Sequence, residues 1–163
     1  MPSFETKTRV PYSPRQMYDL VADVERYPEF LPLCQALRVR SREQNDEGQV
    51  VLVADMTVAY KVINETFTSE VRLDPARPAV DVSYLDGPFH HLENRWLFRP
   101  LPGGSEIDFF ISYEFRSRLL GVVMGAMFDQ AFRRFAEAFE ARARQVYGPP
   151  AVAASGSGQP DTR

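Results

Sequence analysis

The residues with chemical potential are few. His90 and His91 are the only histidines, and Cys34 is the only cysteine. Adjacent residues on a strand point to opposite faces, so the two imidazoles are not expected to close on one metal ion. They read as two histidines at a loop edge, and neither a metal site nor a catalytic triad is expected. A single cysteine excludes a disulfide within the chain and argues against a cysteine-based metal cluster. As a nucleophile Cys34 would need a neighbouring base, so packing is its plainer role. The sequence contains no Gly-rich phosphate loop, zinc-ligand spacing, nucleophile elbow or dinucleotide fingerprint.

More informative are polar residues on faces that are otherwise apolar. Glu65 and Ser69 alternate with Ile63, Phe67 and Val71, and Asn94 sits among Leu92, Trp96 and Phe98. A buried polar group needs a partner. Either these residues form a structural network, or some of them meet the polar head of a ligand in an apolar cavity. Gly121 and Gly125 stand four apart in a helical segment, where each costs about 1 kcal/mol relative to alanine. They make room either for a ligand or for close helix–sheet packing. Gly87-Pro88-Phe89 reads as a hairpin tip or as a mouth residue that dips into a membrane. Arg133, Arg134, Arg142 and Arg144 are interrupted by Glu137 and Glu140, which suits a solvated helix face.

The elements that position these residues follow from periodicity. Residues 3–10 alternate as a half-buried strand. Ser13-Pro14-Arg15-Gln16 opens a helix with a cap, a proline at the first position and a capping box. A second short helix is expected from Tyr27 to Leu31. Strand-like segments follow at 35–44, 49–59, 62–73, 79–85, 90–99 and 105–116, with links so short that neighbours must be antiparallel. A long amphipathic helix over about 117–147 carries an apolar stripe from Leu120 to Phe139, and Gly148-Pro149-Pro150 stops it. The expected organisation is one domain over 1–148 and a disordered tail over 149–163.

Size and charge narrow the function classes. A chain of 163 residues, 44% hydrophobic and 25% charged, suits one globular domain with a sizeable core. Phenylalanine supplies 12 residues, which suits a deep apolar interior or a lipid pocket. The net charge of -3 argues against DNA binding, which favours a basic footprint. The first residues lack a signal-peptide core and no stretch is apolar enough to cross a bilayer. The expected location is cytoplasmic, with at most a peripheral contact at the inner membrane.

Several segments, taken in order, resemble the coenzyme Q-binding family, a branch of the START-like, polyketide-cyclase-like (SRPBCC) superfamily. They are Val10-Pro11-Tyr12-Ser13-Pro14 with the helix Met17 to Val24, then Tyr27-Pro28-Glu29-Phe30-Leu31-Pro32-Leu33-Cys34. Glu65-Thr66-Phe67-Thr68-Ser69 and Gly87-Pro88-Phe89 with Leu92, Asn94, Trp96 and Phe98 follow, and Phe139 to Ala143 with Val146-Tyr147-Gly148 completes the set. Leu33 holds the place where the family often has Trp. The resemblance covers about residues 3–148.

It implies an α+β helix-grip fold: a curved antiparallel sheet of about seven strands around the long C-terminal helix, with two short helices after the first strand. It implies an internal cavity for ubiquinone or a similar isoprenoid quinone, in support of respiratory electron transport or quinone biosynthesis, with no catalytic cofactor. The quinone tail is expected along Met56, Val58, Phe67, Trp96, Phe109, Ile111, Met124, Phe128 and Phe132. The head is expected at one or more of Glu65, Ser69, Asn94 and Tyr113. The resemblance also implies an alternative, because some bacterial relatives are described as a ribosome association toxin that blocks subunit joining. An enzyme of the cyclase or aromatase type is the remaining alternative. It would need an acid or base in the pocket, and Glu65 is the one carboxylate expected on the inner face.

Overall fold

The computed structural model describes residues 3–60 and 63–149. Strand β1 (Ser3–Val10) leads into helix α1 (Pro14–Ala22) and a 3-10 helix (Val24–Glu29). Six strands follow: β2 (Cys34–Gln44), β3 (Val50–Tyr60), β4 (Ile63–Asp74), β5 (Ala79–Asp86), β6 (Phe89–Leu101) and β7 (Gly104–Phe115). Helix α2 (Arg118–Tyr147) is last. The seven strands form one antiparallel, curved sheet in the order β1-β7-β6-β5-β4-β3-β2, the expected helix-grip arrangement. Both edge strands carry charges along their solvent side, Lys7 and Arg9 on β1 and Arg38, Arg40 and Arg42 on β2, which discourages pairing with another chain.

Local chemistry sets the helix starts. The Ser13 hydroxyl accepts from the Gln16 amide at 3.0 Å, and the Gln16 side chain accepts from the Ser13 amide at 2.9 Å. Ser117 caps α2 in the same way, accepting from the Leu120 amide at 3.1 Å. The second helix differs from expectation. It spans Val24–Glu29 rather than Tyr27–Leu31 and is of the 3-10 type. Leu33 then takes a left-handed backbone, φ 68°, which is unusual for a branched side chain. That turn ends the helical segment and starts β2. Of the expected tail over 149–163, all but Pro149 lies outside the described residues.

The concave face of the sheet is apolar and α2 closes it. The close approaches of α2 are to α1, β1 and β7. Its C-terminal half is tied down. Phe139 and Ala143 are fully buried, the Tyr147 hydroxyl donates to Gln16 O at 2.9 Å, and Tyr12 donates to Gly148 O at 2.8 Å. Arg142 pairs with Glu29 at 2.6 Å.

Candidate functional site

A cavity with about 110 Å³ of free volume lies between α2 and the strands β2 to β7. Val24, Tyr27 and Leu31 to Cys34 close it on one side, and Phe128, Ala131, Phe132 and Phe135 roof it. Of the residues expected at a ligand, Met56 and Val58 of β3, Phe67 and Ser69 of β4, Asn94 and Trp96 of β6, Ile111 of β7, and Phe128 and Phe132 of α2 stand on its wall. Glu65, Phe109, Tyr113 and Met124 are not among the wall residues. Glu65 shares the inward register but stands at the start of β4, opposite Val58. Phe109 and Tyr113 lie one layer back: Phe109 meets the Trp96 ring edge-on at 4.7 Å, and Tyr113 packs on Phe128 at 5.6 Å. Met124 is buried toward the N-terminal end of α2.

Wall residues beyond those expected at the ligand come from the 3-10 helix, from every strand between β2 and β6 (Val80 and Val82 of β5 among them) and from α2. Leu31, Pro32, Leu33 and Cys34 enter through the turn into β2, and Phe135 enters from α2. The left-handed backbone at Leu33 could not be read from residue type, since leucine gives no signal for it.

The wall is apolar, and its polar groups are already engaged with one exception. Asn94 donates to Phe110 O at 2.9 Å and accepts from the Trp96 indole at 3.0 Å, so one donor and one acceptor of its amide are engaged within the fold. The Tyr27 hydroxyl donates to Val21 O, and burial holds it far above an ordinary phenol. The Cys34 thiol lies 3.8 Å from Ala36 O, and burial pushes it up to about 11. It is therefore a protonated, packed thiol at neutral pH rather than a nucleophile. The Ser69 hydroxyl, 5% exposed as a residue, has no partner among the described residues. No carboxylate or imidazole is among the wall residues.

Two aromatic clusters bound the cavity. Phe89 stacks on Phe115 at 4.6 Å and meets Phe67 edge-on at 5.3 Å. Phe139 meets Trp96, Tyr27 and Phe30 edge-on at 5.2, 5.6 and 5.1 Å. Phe89 is thus a core residue at 1% exposure, which corrects the reading of it as a membrane-facing mouth residue, while Gly87 and Pro88 form the tip of the β5–β6 hairpin, the other expected reading.

A bulge between Phe89 and His91 breaks strand alternation, so Phe89 and Leu92 both point inward and the histidines do not take strictly opposite faces. Both border a shallow surface cleft, with His91 3.2 Å from the Ser112 hydroxyl. Among the described residues no three His, Cys, Asp or Glu side chains gather as a metal site. A Cβ on Gly121 would meet only the Phe115 side chain at 3.9 Å, and one on Gly125 would meet open space. Neither glycine is required by close packing. Arg133 and Arg144 pair with Asp129 and Glu140 along the solvated side of α2. No described helix is long and apolar enough to cross a membrane.

Residues 10–140 match the family model described as polyketide cyclase / dehydrase and lipid transport. The ribosome association toxin RatA of Rickettsia prowazekii is 34% identical over 149 residues, covering 90% of this chain and 99% of that protein. The mitochondrial coenzyme Q-binding protein of Drosophila melanogaster is 32% identical over 153 residues, covering 91% of this chain and 61% of that one. The solution structure of an 18 kDa protein from Caulobacter crescentus superposes with a TM-score of 0.77 at 33% identity, covering 91% of this chain and all of that one.

Proposed function

The chain belongs to the polyketide cyclase / dehydrase and lipid transport family, and from that premise we propose that it is a non-catalytic carrier of a hydrophobic isoprenoid quinone such as ubiquinone. In this role it would support respiratory electron transport or quinone biosynthesis. The observation that carries the reading is an apolar cavity in which, among the described residues, a single buried hydroxyl, Ser69, is left unpaired. A quinone carbonyl or methoxy oxygen accepts a hydrogen bond from such a hydroxyl, and the isoprenoid tail takes the apolar wall. Burial of the tail supplies roughly 25 cal/mol per Å² before ordering costs. A relative named for coenzyme Q binding supports the same choice of ligand. The wall's ionisable groups, Tyr27 and Cys34, are both held protonated, so it offers no acid–base pair for cyclase chemistry near neutral pH.

The chain's one tryptophan, Trp96, stands on the wall and serves as a reporter. Organic extraction of protein purified from its native cell should yield a quinone in near-stoichiometric amount by mass spectrometry. A soluble short-chain quinone should quench Trp96 fluorescence saturably. An empty extract together with no quenching would sink the carrier reading.

The relatives named as ribosome association toxins favour a second reading, in which the chain binds a ribosomal subunit through its surface. Gradient co-sedimentation with separated subunits tests it, and protein found only at the top of the gradient would count against it.

A further inference from the structure

Large apolar side chains are exposed at few places among the described residues, and their positions are not scattered. Leu119 is 74% exposed, Val122 76%, Leu85 53%, Val123 46% and Tyr60 40%. All five stand at the end of the sheet where β3 gives way to β4, β5 turns into β6, and β7 passes into α2. Val146, the other exposed large apolar residue, lies at the opposite end of α2. The Arg116 amide donates to Pro88 O at 2.8 Å and its guanidinium to Gly87 O at 3.3 Å, which fixes the Leu85-bearing turn beside the start of α2.

The charge around this rim has a direction. Residues 116–128 contain Arg116 and Arg118 and no carboxylate, while Glu65, Asp86 and Glu114 stand on the sheet side of the same end. Arg118 has no ion-pair partner among the described residues. An exposed apolar turn of helix preceded by arginines is the pattern of a segment that lies in a lipid interface, with its apolar side chains below the headgroups and its cations among them. The apolar residues project from separate turns, which a fluid bilayer accommodates without the matched surface that a folded partner needs.

The cavity reaches the same end. Leu33, Val58 and Phe128 are wall residues next to these turns, and the half-buried wall residues Pro32, Leu33 and Met56 also lie toward it. We propose that the rim formed by the first two turns of α2 and Leu85 docks on the surface of an anionic phospholipid bilayer and holds the near end of the cavity against the lipid. The purpose assigned to the docking rests on the carrier reading, but the docking can be measured without it.

The experiment is flotation of the full chain with quinone-free vesicles of phosphatidylcholine, with and without phosphatidylglycerol. The wild-type chain should float with the anionic vesicles. Leu119→Glu combined with Val122→Glu should lower the bound fraction roughly tenfold. Val146→Glu, at the far end, should leave it unchanged, and Arg118→Glu should reduce binding to anionic vesicles selectively. The proposal is overturned if wild type stays behind with both vesicle types, or if the double variant floats as well as wild type. It is equally overturned if the wild type is a dimer that the double variant breaks and neither binds lipid, since the rim would then join two copies. Trp96 quenching by a soluble quinone, measured on the same proteins, separates the two ideas. Quenching without flotation rejects docking alone, and loss of both rejects the carrier reading as well.

Discussion

Two polar side chains on the same concave face have different fates. Asn94 is engaged by Trp96 and the Phe110 carbonyl, whereas the Ser69 hydroxyl is buried without a partner among the described residues. An unsatisfied buried hydroxyl costs about 1–3 kcal/mol. Ser69→Ala should therefore raise the stability of the ligand-free chain by about 1 kcal/mol in chemical denaturation, while weakening quinone binding severalfold in Trp96 titrations. A role in the fold alone would move only the first readout. Cys34 and Tyr27 set the response to alkali. Both hold their protons more tightly in the folded chain than in the unfolded one. The unfolded chain thus loses these protons first as pH rises, and it is stabilised relative to the fold. Stability should be flat near neutrality and fall as pH rises from about 9, the free thiol and phenol range, toward 11. Denaturation midpoints at about pH 8 and 10 should show a smaller fall in Cys34→Ala than in wild type.

At the scale of elements, α2 is anchored at one end. Phe139, Arg142 and Tyr147 fasten its C-terminal half to the 3-10 helix and α1, while its first turns present Leu119, Val122 and Val123 to solvent. Gly121 and Gly125 fall in this lightly held half, with space for a methyl group at both positions. Each Gly→Ala substitution should stabilise the chain by up to about 1 kcal/mol. Hydrogen exchange should slow in the first three turns of α2 rather than at its C-terminal end. Gly87 is the opposite case. It has φ 142°, and a Cβ there would lie 2.6 Å from Phe67 Cβ. Gly87→Ala should lower stability by about 2 kcal/mol or more, because the β5–β6 turn must move away from a residue of the cavity wall.

For the whole molecule the deciding magnitude is volume. Small-molecule pockets usually enclose about 300–1,000 Å³, against about 110 Å³ here. A bound quinone with its tail would need α2 to move away from the inner strands, and the anchoring of its C-terminal half would direct that motion to the N-terminal half of the helix. Saturating quinone at about 100 times its dissociation constant should add about 2.7 kcal/mol of stability. A thermal melt should show this as a rise of several degrees, accompanied by altered exchange in the first half of α2 rather than in α1.

The sequence by itself determined the elements and their order. Alternation marked the strands, Ser13 to Gln16 marked the start of α1, and short links forced antiparallel neighbours, all of which are local consequences of side-chain period and backbone geometry. It also determined which residues face inward, including Ser69, Asn94 and Trp96. Only the tertiary structure decided what each inward residue meets. Facing inward does not separate the cavity wall from the layer behind it, so Phe109 and Tyr113 read the same as Phe128 and Phe132. The bulge at the histidines, the left-handed turn at Leu33 and the burial of Phe89 depend on contacts between strands distant in sequence. The unpaired state of Ser69 likewise exists only once every neighbour that might have satisfied it is in place.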